Sequence, residues 1–326
     1  MKNSVKKGLL LLGLSFFIVS CGDKEKTAKV QYPEKPIEMV VPYSAGGGSD
    51  RNGRTLAEIV QKYKMAEQPI MVVNKPGGSG AVGNAYVHSK KGNDYTLLTM
   101  VGGQAASAIY NKAEVTVDKF TPIAVLAYDV MFLGINKNSK YKNLKEVVEA
   151  AKNVPGSITV GGPNIGNEEF YAYKLLEKQT GAKFKYVSFN GTGDVISAML
   201  GNHVDIGVLK PAAAMSQVES KNIIPLVSYT PEKLGGIFED TPTFKELDYG
   251  DVDVRVYRAI VGPPNMNENI VAYWEEIFKK VSETPEWKDE YVKQNFLVPN
   301  FLGATEAKKF ILEDQEKFAT MFSEIN

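Results

Sequence analysis

The chain has 326 residues with 38 basic and 38 acidic side chains, and 44% of its residues are hydrophobic. This length accommodates two domains with cores of their own, and the balanced charge gives no support to nucleic-acid binding. The single cysteine excludes a disulfide within the chain and a metal site built from several cysteines.

The first residues resemble a bacterial export signal. Three lysines precede an apolar run from Leu9 to Val19, which is too short to span a bilayer. The tetrapeptide IVSC, which ends at Cys21, resembles the lipobox of bacterial lipoproteins, in which the cysteine is acylated. We therefore predict a lipoprotein signal peptide over residues 1–20 and lipidation at Cys21; a signal peptide with an incidental cysteine is the alternative.

Residues 21–35 are predicted to be the lipidated cysteine and a flexible tether, because the segment is polar and cannot bury enough apolar surface to fold. Several acyl chains on one cysteine would hold the protein at a membrane, whereas one chain binds only marginally. We expect an exported protein that is lipid-anchored to the bacterial cell envelope, on the cell membrane or the periplasmic face.

Strands and helices alternate along the remaining chain. The predicted strands are 37–41, 70–73, 95–101, 131–135, 158–160, 184–187, 206–209, 223–227 and 254–261. The predicted helices include 49–63, 82–89, 144–152, 268–282, 285–294 and 305–322. This alternation indicates an α/β fold, and the first series, with strands 37–41, 70–73 and 95–101, indicates parallel strands.

Two such series, with elements that return at the end, indicate two lobes connected by more than one crossing. We assign residues 36–126 plus 254–326 to lobe 1 and residues 127–253 to lobe 2. A ligand is expected in a cleft between the lobes, at the carboxyl ends of the strands.

Glycine-rich turns follow three of the predicted strands. The turn from Pro42 to Asp50 contains three consecutive glycines, and Ser49 is a good N-cap for the next helix, so the turn suits an anion. A turn that merely needs positive φ is the alternative. The other two turns run from Gly161 to Asn167 and from Phe189 to Asp194. Together they predict a small anionic ligand held largely by backbone amides.

Two stretches of the sequence match nucleotide-binding motifs only in part. In the turn that ends at Asn167, that residue and Glu168 replace the lysine and hydroxyl of a P-loop, which excludes an ATP site. The stretch Gly78 to Gly83 matches G-x-G-x-x-G, but Asp94 precedes the strand 95–101, where a Rossmann fold needs its acid at the strand end. We interpret it as a strand-to-helix turn and expect no cofactor.

Nothing in the sequence points to catalysis. Neither His88 nor His203 lies near a nucleophile by sequence pattern, and no metal-binding spacing occurs. We expect no enzyme activity and no metal.

Six motifs carry a family resemblance, and they occur in the order YPEKPIEMVVPYSAGGGSD, NKPGGSGAVG, DYTLL, FTPIAVL, GTGDVISAMLGNHVDIG and DTPTFKEL. From about Tyr32 onward the chain resembles the solute-binding proteins of tripartite tricarboxylate transporters. The resemblance implies a type II periplasmic-binding-protein fold that closes on its ligand, and a partner permease of two integral membrane subunits driven by an ion gradient.

The resemblance also implies which residues hold a ligand carboxylate. They are Ser44, Gly46, Gly47, Gly48, Ser49 and Asp50 in the first lobe and Gly166, Asn167, Gly191 and Thr192 in the second. Where the family usually has Gly-Ser followed by His, this chain has Gly166, Asn167 and Phe170.

Further candidates come from the residues themselves. Tyr43 and Gln104 are expected to line the cleft, and Lys210, at the end of a strand, is expected to meet a distal ligand charge or to be a solvated loop lysine. The four arginines form two pairs, Arg51 with Arg54 and Arg255 with Arg258, and serve either carboxylate binding or fixed ion pairs.

The predicted protein is a monomeric receptor for a small carboxylate of the tri- or dicarboxylate class, which it delivers to a tripartite tricarboxylate-type secondary transporter. A sensor subunit that presents its ligand to a signalling kinase is the alternative, followed by an exported hydrolase.

Overall fold

The computed structural model describes residues 32–323, so the predicted signal peptide, Cys21 and most of the predicted tether lie outside the described residues. From Pro33 onward the described chain belongs to one compact unit, which contains two β-sheets and the helices that cover them. The predicted α/β fold is confirmed. None of the helices between residues 32 and 323 combines the length and the apolar character needed to cross a membrane.

The first sheet has six strands in the order β11-β4-β10-β3-β1-β2. Their bounds are β1 Ile37–Val41, β2 Ile70–Asn74, β3 Thr96–Val101, β4 Thr121–Asp129, β10 Val256–Gly262 and β11 Val298–Leu302. Strand β1 is parallel to β2 and β3, whereas β10 is antiparallel to β3 and β4, and β11 is antiparallel to β4. The sheet is therefore mixed.

The second sheet has five strands in the order β7-β6-β8-β5-β9. Their bounds are β5 Phe132–Asn136, β6 Thr159–Pro163, β7 Lys185–Phe189, β8 Ile206–Leu209 and β9 Ile223–Ser228. Strand β6 is parallel to β7 and β8, and β5 is antiparallel to β8 and β9.

The helices are α1 Gly48–Lys62, α2 Ala81–His88, α3 Gly102–Tyr110, α4 Leu144–Asn153, α5 Glu168–Thr180, α6 Thr192–Leu200, α7 Pro211–Glu219, α8 Glu268–Glu283 and α9 Ala304–Ser323. A π-helix covers Glu286–Val292, inside the predicted helix 285–294. Helix α1 begins at Gly48 with Gly47 as its N-cap, so the prediction that Ser49 caps this helix is wrong.

The first three predicted strands are parallel, as expected, whereas β5, β10 and β11 are antiparallel to their neighbours. The strands β4 and β11 and the helix α3 were not predicted. All seven residues of β10 are buried. A strand buried on both faces reads as a continuous apolar run whichever way its neighbours point, so its direction is not visible in the sequence. The chain leaves the first sheet at Asp129 and enters the second at Phe132, and it returns between Ser228 and Val256. The proposed lobe limits stay a prediction.

Aromatic side chains join helices from the two halves of the chain. Tyr110 of α3 packs edge-on against Phe170 of α5 and against Phe322 of α9, with ring centroids 5.8 and 5.4 Å away. Tyr171 of α5 meets Phe318 of α9 at 4.9 Å. The C-terminal helix thus contributes to a hydrophobic core that both sheets share.

The stretch Gly78–Gly83 forms a strand-to-helix turn, as predicted: β2 ends at Asn74 and α2 begins at Ala81. Gly80 has φ of +99°, a conformation that other residues rarely adopt. Gly83 serves packing instead, because a Cβ there would lie 2.6 Å from the Cβ and 2.9 Å from the Cα of Pro42. Helix α2 therefore supports the start of the glycine loop that follows β1.

We expect Gly83→Ala to lower the free energy of unfolding by about 1–3 kcal/mol, because the added methyl group overpacks against backbone that cannot rotate away. Gly193→Ala is the matched control: Gly193 also lies in a helix, and no atom comes within 4 Å of an added Cβ. The control should change stability by no more than about 1 kcal/mol, in the stabilising direction. Chemical denaturation measures both, and equal values for the two variants would contradict the packing argument.

Candidate ligand-binding site

A cavity of about 730 Å³ lies where the loops after β1, β3, β6, β7 and β8 meet. These loops leave the carboxyl ends of their strands, which is where open α/β sheets bind ligands. The volume is in the range of small-molecule sites. Both sheets therefore contribute a wall to the same cavity. The first wall is formed by the loops of the first sheet, after β1 and β3, and the second wall by the loops of the second sheet, after β6, β7 and β8.

Nine of the predicted site residues lie on the cavity wall: Tyr43, Ser44, Gly47, Gly48, Ser49, Asn167, Gly191, Thr192 and Lys210. Their contact with a ligand stays a prediction. Within the part of the chain that the structure describes, the cavity is also lined by residues that sequence reasoning did not select, namely Ala45, Ser79, Val101, Gly103, Ser107, Asp129, Pro163, Asn164, Glu168, Glu169, Ala212 and Ala213.

The structure does not place Asp50 or Gly46 on the wall. The Asp50 carboxylate is buried behind the glycine loop, where Oδ2 accepts from the backbone N–H of Gly46 at 2.8 Å and from Nε of Arg54 at 3.0 Å. Oδ1 accepts from Nδ2 of Asn74 at 2.9 Å. These bonds make Asp50 a support that holds the loop in shape, and its predicted contact with a ligand stays a prediction.

The hydrogen bonds of Asp50 favour its ionised form. They lower its pKa to about 2 from an ordinary value of 3.8, with the bond from Arg54 as the largest cause and those from Gly46 and Asn74 in addition. Burial acts against this shift but does not cancel it. The glycine loop is therefore held by a carboxylate that stays ionised down to low pH.

Gln104 and Gly166 also lie off the wall. Gln104 is buried, its Oε1 accepts from the backbone N–H of Val101, and its Nε2 donates to Oδ1 of Asn84, each bond being 2.7 Å. Gly166 packs against Tyr110, because a Cβ added there would lie 2.4 Å from that ring. Both residues shape neighbouring turns and are not proposed as ligand contacts.

A buried arginine holds the glycine loop of the first wall in place. Arg258 of β10 is 8% exposed, and its Nη2 donates to Oδ1 of Asp129 at 2.9 Å. Its Nη1 donates to the carbonyl of Gly48 at 3.0 Å and to the hydroxyl of Tyr291 at 3.2 Å. One guanidinium thus ties the glycine loop to a strand of the sheet and to the π-helix.

The other arginines have different surroundings. Arg54 pairs with Asp50 at 3.0 Å, and Arg255 pairs with Asp253 at 2.5 Å on the surface. Arg51 lies in the first turn of α1 and lines the cavity, and among the described residues its guanidinium has no ion-pair partner. Of the arginines that line the cavity in the described part of the chain, Arg51 is the one without an ion-pair partner.

The second wall carries three charged side chains. Nζ of Lys210 lies 2.6 Å from Oε1 of Glu168 and 3.3 Å from Oε1 of Glu169. Nδ2 of Asn167 donates to Oε2 of Glu169 at 2.5 Å, while its Oδ1 caps α5 by accepting from the backbone N–H of Phe170. Lys210 is therefore a paired lysine on the cavity wall and not a solvated loop lysine, and its contact with a ligand charge stays a prediction.

The two glutamates were missed as site residues. In the sequence they are acids in a first helical turn, a placement that the helix dipole favours and that needs no functional explanation. Only the tertiary structure brings them to Lys210, which is 42 residues from Glu168 along the chain.

Residues 32–323 contain no group of three histidine, cysteine, aspartate or glutamate side chains placed to hold a metal ion. Neither His88 nor His203 lines the cavity. The chemistry that its wall offers is hydrogen bonding and charge.

Comparison with known proteins gives consistent matches. A family model described as the tripartite tricarboxylate transporter family receptor matches residues 53–326. The UPF0065 protein in the gbd 5′ region of Cupriavidus necator is 28% identical over 293 residues, which cover 88% of this chain and 86% of that protein.

Two solved structures resemble the fold closely. A TctC solute binding protein from Polaromonas has a TM-score of 0.77 at 25% identity, covering 90% of this chain and 99% of its own. MatC from Rhodopseudomonas palustris, solved with bound malate, has a TM-score of 0.74 at 20% identity, covering 89% of this chain and 100% of its own.

We expect Arg258→Ala to lower the free energy of unfolding by about 3–5 kcal/mol, because it leaves Asp129 buried without its partner. Arg255→Ala, two residues away, is the control: it breaks a pair whose side chains are 32% and 36% exposed, and should cost no more than about 1 kcal/mol. Urea denaturation followed by tryptophan fluorescence distinguishes them, and a small effect of Arg258→Ala would show that the buried pair is not an anchor.

The depressed pKa of Asp50 predicts a loss of stability in acid. Its contribution is fully present above the unfolded value of 3.8 and is lost as the pH falls through about 2. Because Arg54 is 46% exposed, solvent screening limits the contribution to about 1–2 kcal/mol. Between pH 5 and pH 2 the wild type should therefore lose more stability than Asp50→Asn does. Asp251→Asn, which removes a carboxylate that is 74% exposed, should lose stability like the wild type.

Proposed function

The chain belongs to the tripartite tricarboxylate transporter family of receptors, and on this premise we propose that it is an exported receptor that captures a small carboxylate and delivers it to a permease of two membrane subunits. The observation that supports this most strongly is the pairing of a glycine loop with Arg51 on one wall of the cavity. Both features are suited to a carboxylate.

The first wall offers backbone donors and a positive charge together. Gly48 and Ser49 are the first residues of α1, and the N–H groups of a first helical turn have no carbonyl partner within the helix. A carboxylate seated there meets these donors, the positive end of the helix dipole and the guanidinium of Arg51. The malate in the similar structure of MatC supports a carboxylate as the ligand class.

The two-walled site supports a receptor that closes on its ligand. A ligand that contacts both walls stabilises the closed form by its differential affinity for the closed over the open arrangement, so its binding shifts the population towards closure. We propose that the closed form docks on the permease, that Cys21 carries the lipid anchor, and that the receptor acts as a monomer without turning over its ligand.

The test is a thermal-shift and calorimetry screen of the purified protein against mono-, di- and tricarboxylates, with phosphate and NAD as controls. A ligand at a hundred times its Kd should stabilise the fold by about 2.7 kcal/mol. Arg51→Ala should raise the Kd for the carboxylate about tenfold or more, as expected for loss of a charge-assisted hydrogen bond. Arg255→Ala removes an arginine that does not line the cavity and should leave the affinity unchanged.

Incubation with the bound carboxylate, followed by mass spectrometry, checks that the ligand is recovered unaltered. Stabilisation by NAD alone, or by no carboxylate in the screen, would refute the proposed function. A ligand that is converted to product would refute the receptor assignment while leaving the cavity as its site.

A further inference from the structure

The second wall of the cavity carries more negative than positive charge. Glu168 and Glu169 are 6% and 3% exposed, and the one cation that contacts them is Lys210, among the residues that the structure describes. The buried guanidinium of Arg258 is already paired with Asp129. When both glutamates are ionised, this wall therefore keeps a surplus of one negative charge.

The carboxylate of Glu168 also reaches across to the opposite wall. A Cβ added to Gly103, in the first turn of α3, would lie 2.1 Å from Oε2 of Glu168. Its Oε1 is the atom that accepts from Lys210. Glu168 thus places its second oxygen where a loop of one sheet approaches a loop of the other, on the wall of the cavity.

The surroundings of Glu168 and Glu169 disfavour an additional negative charge. Burial, together with the neighbouring carboxylate of Glu168, raises the pKa of Glu169 to about 7 from an ordinary value of 4.5. The same two causes raise the pKa of the Tyr43 hydroxyl on the first wall. A ligand carboxylate placed beside these acids would add a like charge in a poorly solvated site.

The two walls differ in sign as a result. Arg51 and the first turn of α1 favour one carboxylate, whereas Glu168 and Glu169 offer acceptor oxygens and a negative potential. A ligand matches both walls when it has a carboxylate at one end and hydrogen-bond donors at the other.

We propose that Glu168 and Glu169 determine the ligand class of this receptor: they select a carboxylate whose far end donates hydrogen bonds, and they exclude ligands with a second carboxylate at that end. This inference rests on the proposed function. It narrows the ligand from tri- and dicarboxylates in general to monocarboxylates that carry an ammonium or hydroxyl group.

Four acids of one chain length test the inference: butyrate, 4-hydroxybutyrate, 4-aminobutyrate and succinate. Calorimetry at pH 8 should show that 4-hydroxybutyrate or 4-aminobutyrate binds the wild type at least tenfold more tightly than succinate does. Glu168→Gln and Glu169→Gln should each shift this ratio towards succinate at least threefold. The double variant, which leaves Lys210 to meet a ligand carboxylate, should bind succinate at least tenfold more tightly than the wild type.

Glu177→Gln is the matched control, because Glu177 is a buried acid of the same helix that pairs with Lys174 and does not line the cavity. It should leave the ratio unchanged. Melting temperatures establish that each variant is folded, and the two single variants decide the question if the double variant is not.

The outcomes separate this inference from the proposed function. If succinate binds the wild type best, or if neither single variant shifts the ratio, the charge selection is refuted while the receptor assignment stands. If only longer carboxylates bind, the same comparison of hydroxy, amino and dicarboxylate forms is made at that length. If no carboxylate binds at all, the proposed function itself is refuted.

Discussion

The ion pair between Arg258 and Asp129 is the interaction on which the candidate site depends. It joins the central strand β10 to the end of β4, and the same guanidinium holds the carbonyl of Gly48. A lysine could not replace it, because an ammonium lacks the planar fork that reaches an acid and a carbonyl at once. The glycine loop on the cavity wall is therefore attached to a fully buried strand of the first sheet.

Support for the glycine loop comes from several directions, which explains how a flexible sequence forms a defined wall. Asp50 binds the loop from behind through the backbone N–H of Gly46, and Gly83 of α2 packs against Pro42 at its start. Each support is local and small, but together they reduce the conformational freedom that three consecutive glycines would otherwise have. A preorganised wall loses less entropy on binding.

The opposite wall is built on a different principle. The first turn of α5 carries Glu168 and Glu169, which both pair with Lys210. A carboxylate oxygen of Glu168 also lies against Gly103 of the other half of the chain. Aromatic packing of α5 against α3 and α9 lies next to this contact and connects the same elements. Charge and packing are thus combined at the point where the two halves of the chain meet.

The sequence by itself determined the α/β class, most element positions and the loops that form the cavity, because periodicity, glycine turns and caps are local properties. Seven wall residues came to notice through a family resemblance, and Tyr43 and Lys210 through their own positions after predicted strands. Only the tertiary structure decided the direction of β5 and β10, the inward turn of Asp50 and the meeting of Lys210 with Glu168 and Glu169. These depend on side chains far apart in sequence, whose pairing no local pattern encodes.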